Sequence, residues 1–330
     1  MATGWRNWTN SLAAESSKAA HRLFEGAVAM MRANPGEPDA GRSSQALAEE
    51  SFGSDAEIFE ILAGRVKSRV VRQGSGPDIL WIPGGDATAE YWIDQFRLFE
   101  DSYRCVSYDP RGVGETVCPS PPWSIEDFAS DCAAVIREAC RPPVALVGLS
   151  MGSLIAQQVA IDFPELVRIA VAMGTAARIT GFTRDWMQAE IDFRIGGGSL
   201  PPKFAACHYA AFAYPAKALA DKEIWTRVKS AYARRFGDRD SAGLIAQWQA
   251  CLDYDCRNAL ATCDVPIHAV GFSNDVQTPP SMVKEVADAA ANGNYHELEG
   301  LGHVSFSRHR PKAVAELIRR IICSGYLDRA

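Results

Sequence analysis

At 330 residues, 47% of them hydrophobic, the chain can bury one large domain or a core domain carrying an insertion. Its formal charge of -6 is modest and spread along the sequence, which argues against a nucleic-acid-binding surface. No stretch reaches the about 18 uninterrupted apolar residues of a membrane span, and Met1 to Ala20 holds no signal-peptide apolar core, so a cytoplasmic protein is expected.

Residues 1–65 read as a helical extension outside the main domain. Leu12, Leu23, Phe24, Val28 and Met31 recur at helical spacing and predict an amphipathic helix over 9–32, stopped by Asn34-Pro35-Gly36. A polar linker runs to Ser44, and a second helical piece is expected over roughly 45–63. Such an arm fits three roles: packing over its own domain, walling a substrate site, or joining two copies as a homodimer.

The rhythm changes at Val66. Loose alternation over 66–73, the turn Gly74-Ser75-Gly76-Pro77 and the apolar run Asp78 to Ile82 predict strands. A helix over 89–100 leads to a strand at 103–108. A helix over 124–139, with Ile125, Phe128, Cys132, Val135 and Ile136 on one face, leads to a strand at 144–148. Ser124 and Asp127 suit the start of that helix. Helix 151–162 and strand 168–173 continue the pattern, which resumes with strands at 266–272 and 294–298 and helices at 280–290 and 311–323. Alternation of this kind specifies βαβ units: an α/β fold with a mostly parallel central sheet and helices on both faces.

Between 176 and 260 the alternation stops. The stretch is helical in character, broken at Gly196-Gly197-Gly198 and Pro201-Pro202, and rich in aromatic residues. An insertion at the C-terminal end of a parallel strand falls where open α/β sheets bind ligands. It reads as a helical cap over a core formed by 66–175 and 261–330. Most cap aromatics belong to the cap's own interior; Trp186, Phe193, Phe212 and Trp248 are the candidates to face a substrate.

Nine cysteines at irregular spacing make a poor disulfide framework. Cys251, Cys256 and Cys263 lack the tight pairs and neighbouring histidines of a zinc site, so no metal is expected. No Walker-type lysine or G-x-G-x-x-G accompanies Pro83-Gly84-Gly85, so no nucleotide cofactor is expected either.

Gly148-Leu149-Ser150-Met151-Gly152 closes the strand 144–148 and opens a helix. G-x-S-x-G in that setting is a nucleophile elbow, a strained turn that exposes the serine hydroxyl. A serine nucleophile needs a base, and the base an orienting acid. Of six histidines, His303 lies in a loop between the last strand and the last helix; His21, His208, His268, His296 and His309 fall on helices, strands or surface. Asp275 follows the strand 266–272, between serine and histidine in chain order, whereas Asp264 precedes that strand. Oxyanion donors are expected from the Met151 amide and from the loop after Ile82, Gly85 first and Asp86 next, with Asp86 also a candidate substrate contact.

These residues, in this order over about 66–325, resemble the α/β-hydrolase superfamily, and within it the capped subgroup of proline iminopeptidases, meta-cleavage-product hydrolases, lactonases and cofactor-free haloperoxidases. Tyr108-Asp109-Pro110-Arg111-Gly112-Val113-Gly114-Glu115 matches the D-x-R-G-x-G-x-S loop of that family, which supports the active-site floor. The resemblance implies Ser150 as nucleophile, Asp275 as acid, His303 as base, and Gly85 with Met151 as oxyanion pair. Two departures stand out. Pro83 replaces the histidine of the H-G motif that usually holds the oxyanion loop, and Glu115, just before the Thr116 that stands for the motif's serine, places a charge near the pocket. Hydrolysis of an ester, thioester or lactone of a medium to large, apolar substrate is the leading expectation. C–C bond hydrolysis, acyl transfer or cyclisation, aminopeptidase action, and a non-catalytic ligand-binding homologue are the alternatives.

Overall fold

The computed structural model describes residues 51–235 and 242–327; the helix expected over 9–32 and the linker after it lie outside them. Among the described residues eight strands form one sheet: β1 (Glu57–Ala63), β2 (Val66–Gln73), β3 (Asp78–Ile82), β4 (Arg104–Tyr108), β5 (Val144–Leu149), β6 (Val167–Met173), β7 (Ile267–Phe272) and β8 (Gly293–Leu298). Their spatial order is β1-β2-β4-β3-β5-β6-β7-β8, antiparallel through β4 and parallel from there to β8. This is the α/β-hydrolase fold.

Strand β1 corrects the helical reading over 57–63; Ser51 and Phe52 are helical, and 45–50 lie outside the described residues. Ile58, Ile61 and Leu62 fit a helical spacing, but 57–63 pairs residue for residue with β2 through a two-residue turn at Gly64-Arg65, with Gly64 at φ 60°. A glycine reaches that backbone region without steric cost. Along β1, Phe59 and Ile61 pack on one face of the sheet and Ile58 on the other, a period of two. Tertiary pairing decides the conformation.

Helices cover both faces. They are α1 (Ile93–Phe99), α2 (Ile125–Ala139) and α3 (Met151–Asp162), then α4 (Gly181–Ile195), α5 (Pro202–Ala213), α6 (Ala216–Ala220), α7 (Lys222–Arg235), α8 (Ala242–Asp253) and α9 (Arg257–Leu260), and last α10 (Pro280–Ala289) and α11 (Pro311–Leu327). In α2 the Ser124 hydroxyl accepts the Asp127 N–H while the Asp127 carboxylate accepts the Ser124 N–H, a reciprocal cap. Side chains of the central strands alternate between two cores: Leu80, Ile82, Val144 and Leu146 meet α2 and α3, while Ile79, Trp81, Ala145 and Val147 meet α1 and α11. The helices from α4 to α9 form the insertion between β6 and β7, over the carboxyl ends of the parallel strands.

Candidate active site

Ser150 joins β5 to α3 with φ 55° and ψ -125°, a region non-glycine residues enter only under restraint. The restraint is visible: its N–H donates to the Met173 carbonyl at 3.0 Å. Both flanking glycines are required by close approach. A Cβ on Gly148 would overlap the Gly152 carbonyl, and one on Gly152 would overlap the Ile82 carbonyl oxygen and lie 2.5 Å from that of Pro83. Gly152→Ala is therefore expected to cost about 3 kcal/mol of stability by overpacking, read from urea unfolding. A loss under about 0.5 kcal/mol would mean that the β3 end yields freely.

Asp275 and His303, 28 residues apart, meet in the buried interior. His303 Nδ1 lies 2.6 Å from Asp275 Oδ2, and Asp275 Oδ1 accepts the N–H groups of Gln277 at 2.8 Å and Thr278 at 3.0 Å. The Thr278 hydroxyl donates to Oδ2 at 2.8 Å. Four contacts thus fill the carboxylate, and an ionised carboxylate paired in this way fixes the proton of a neutral imidazole on Nδ1. Nε2, on the other side of the ring, is buried and has no hydrogen-bond partner among the described residues. Ser150 and His303 border the same cleft, and Gly174, directly after the Met173 that holds Ser150, is so close to the imidazole that its Cβ would sit 3.0 Å from the ring. His303 Nε2 makes no hydrogen bond to Ser150.

The glycine loop after β3 runs against Ser150. A Cβ on Gly84 would lie 3.5 Å from that of Ser150, and Gly85 faces the Trp248 indole. The first amides of α3, that of Met151 among them, have no intrahelical acceptor, and Gly85 and Met151 both line the cleft. With proline at 83, other groups anchor the loop. Asp86, at φ 58°, donates its N–H to Gln247 Oε1 at 2.7 Å, and Ala89 N–H donates to Asp109 Oδ1 at 2.9 Å. Asp109 is gripped by Arg69, which also makes a bidentate pair with Glu90. Burial pushes the Asp109 carboxyl above its usual range, with Arg69 pulling against that shift.

The open cleft spans about 760 Å³, counted out into solvent, and shares Ser150, Met151, Trp186 and Trp248 with a second lobe of about 440 Å³. Of the residues singled out for substrate contact, Asp86, Trp186, Phe212 and Trp248 line it. Phe193 does not. Two turns beyond Trp186 on α4 it has passed the cleft, is 40% exposed, and lays its ring over Gly198. Glu115 is also outside the cleft and exposed, while Thr116 donates its hydroxyl to the Asp109 carbonyl. Arg178, Arg184 and Arg194 do not line it; Arg178 pairs with Glu285, Arg184 donates to the Leu252 carbonyl, and Arg194 pairs with Glu190.

Wall residues that pattern reading passed over include Tyr91, Tyr209, Tyr232, Cys251 and Gln277. Nothing in a lone tyrosine on a cap helix marks which way it faces. Burial pushes the Cys251 thiol up to about 12, which favours its protonated form. Cys251, Cys256 and Cys263 are buried as free thiols. Among the described residues no helix is long and apolar enough to cross a membrane.

The Alpha/beta hydrolase family matches residues 79–317 of the chain. A protein of Mycobacterium tuberculosis (strain H37Rv) that carries the name "Putative non-heme bromoperoxidase BpoC" is 30% identical over 256 residues, covering 76% of this chain and 95% of its own. Among solved structures, Rv0554 of Mycobacterium tuberculosis superposes with a TM-score of 0.74 at 27% identity, over 81% of this chain and 99% of its own. The enol-lactonase from Burkholderia xenovorans LB400 follows with a TM-score of 0.72 at 20% identity, over 80% and 100%, a likeness of fold.

Proposed function

Because the chain belongs to the alpha/beta hydrolase family, we propose that it is a serine hydrolase cleaving an ester, thioester or lactone of an uncharged, mostly apolar substrate through an acyl-enzyme. The observation that carries this reading is the buried His303–Asp275 contact opening on the cleft that holds the Ser150 elbow.

In this mechanism His303 Nε2 accepts the Ser150 proton as Oγ bonds to the carbonyl carbon. Asp275 keeps the ring in the tautomer that makes Nε2 the acceptor and stabilises the imidazolium. The amides of Gly85 and Met151 receive the charge on the carbonyl oxygen, each such donor being worth about 3 kcal/mol in the transition state. The bond to the leaving group then breaks, and the imidazolium gives that group its proton. Water reverses the sequence: its proton goes to Nε2, its oxygen bonds to the acyl carbon, and the acyl–Oγ bond breaks as the proton returns to Oγ.

The walls favour apolar substrates without negative charge. Trp186, Phe212, Trp248 and Tyr91 supply aromatic surface, and Asp86 is an acidic group there, with no lysine or arginine among the described lining residues. The test is a pair of chromogenic aryl esters that differ only in a free or methylated carboxylate on the acyl chain. The neutral ester is expected to show a burst of aryl alcohol and a kcat/KM at least about tenfold above its anionic partner, since an unpaired carboxylate must be desolvated. Absence of a burst with any ester, or preference for the anion, would count against the reading.

A further inference from the structure

Gln247 belongs to the insertion, on α8, yet both ends of its carboxamide bond to loops of the core. Oε1 accepts the Asp86 N–H at 2.7 Å, and Nε2 donates to the Arg111 carbonyl at 2.5 Å. The two partners fix the orientation of the amide, because an N–H needs the oxygen and a carbonyl needs the NH2. The side chain is wholly buried, and its bond to the Arg111 carbonyl is buried with it.

The geometry of the loop gives these bonds a purpose. Asp86 sits at φ 58° directly after Gly85, and a non-glycine residue stays there only while its surroundings hold it. Pro83 offers no N–H or side-chain donor to do so from within the loop. The next residue of α8, Trp248, closes over Gly85 from the cap side, with its Nε1 3.3 Å from where a Gly85 Cβ would be. At its other end Gln247 ties the same helix to the 109–114 loop, whose Asp109 holds Ala89 N–H and so the far end of the glycine loop. Both ends of segment 84–89 are thereby fixed, one by the cap and one by the core.

We propose that Gln247 is a positioning residue for the oxyanion site: seating of α8 on the core orients the Gly85–Asp86 backbone, so that cap docking and completion of the anion-binding amides are one event. The inference rests on the serine-hydrolase reading above. It predicts a specific kinetic signature. Misdirected amides weaken the tetrahedral, negatively charged state and leave binding of the planar ester nearly alone.

The experiment compares wild type with Gln247→Met, which keeps length and volume but neither polar end, and Gln247→Asn, which is polar but one methylene too short to span both loops. Acylation by a neutral chromogenic ester is followed before the steady state, together with KM and the affinity of an aryl boronic acid, which forms an anionic tetrahedral adduct on the serine. Gln247→Met is expected to acylate about 10²-fold more slowly, with KM within about threefold and boronate affinity falling in parallel with the rate. Gln247→Asn is expected to follow in the same direction by about tenfold or more. A variant that melts as wild type does and acylates within about threefold of it overturns the proposal, as does a rise in KM with acylation unchanged, which marks packing alone. If Gln247→Met fails to fold, Gln247→Asn decides by the same criteria. A wild-type protein that forms no acyl-enzyme refutes the hydrolase reading itself, a result separable from failure of Gln247.

Discussion

Ser150→Ala is expected to lower kcat for a neutral aryl ester by about 10⁶-fold and to abolish covalent capture by a fluorophosphonate. The loss is of this order because the residues of a triad act as a unit: without Oγ there is no oxygen for the carbonyl carbon and no proton for His303 to take. The substitution is a fair test because it leaves the turn intact. Alanine retains the Cβ that already tolerates φ 55°, the Ser150 N–H bond to Met173 is a backbone bond, and the flanking glycines are untouched. The melting temperature should stay within a few degrees, and mass spectrometry should find the phosphonate adduct on the wild-type peptide containing Ser150 and nowhere in the variant. Residual labelling at wild-type rate, or loss of less than about 100-fold in kcat, would place the nucleophile elsewhere.

Asp275→Asn is expected to cost about 10⁴-fold in kcat with the fold preserved. The hydrogen bonds dictate how the asparagine must sit. Two backbone N–H groups, of Gln277 and Thr278, point at the Oδ1 position and demand an oxygen there, so the NH2 takes the Oδ2 position that faces His303 Nδ1. Nδ1 must then become the acceptor, the ring proton moves to Nε2, and the nitrogen facing the cleft can no longer take a proton from serine. The Thr278 hydroxyl, now opposite an NH2, turns from donor to acceptor without leaving its place. Stopped-flow acylation across neutral pH checks this: a loss of less than about tenfold would show that Asp275 does not govern the tautomer.

Much of this arrangement was legible because parallel α/β architecture ties sequence order to position. Apolar runs such as 144–148 followed by helical spacing place their joining turns at one end of the sheet, so Ser150, Asp275 and His303 could be sought by where they fall relative to strands. The failures share one physical cause, namely contacts made by residues distant in sequence. The segment 57–63 satisfies a helical and an alternating pattern alike, and only the presence of β2 decides between them. Phe193 shares a helical face with Trp186, but the cleft ends before α4 does, which no periodicity encodes. Gln247 is the extreme case. One polar residue in a cap helix, 161 positions from Asp86, carries no local mark.

The aromatic lining has an optical corollary. Trp186 stacks on Phe212 with ring centroids 4.7 Å apart and tilts against Trp248 at 5.4 Å, both indoles at the mouth of Ser150, whereas Trp81 and Trp92 are sealed beneath the sheet. Displacing water from those two rings changes the polarity around them, while Trp81 and Trp92 stay sealed from it. The molecule therefore carries an intrinsic fluorophore at its own threshold, and ligand arrival is readable from emission without any attached dye.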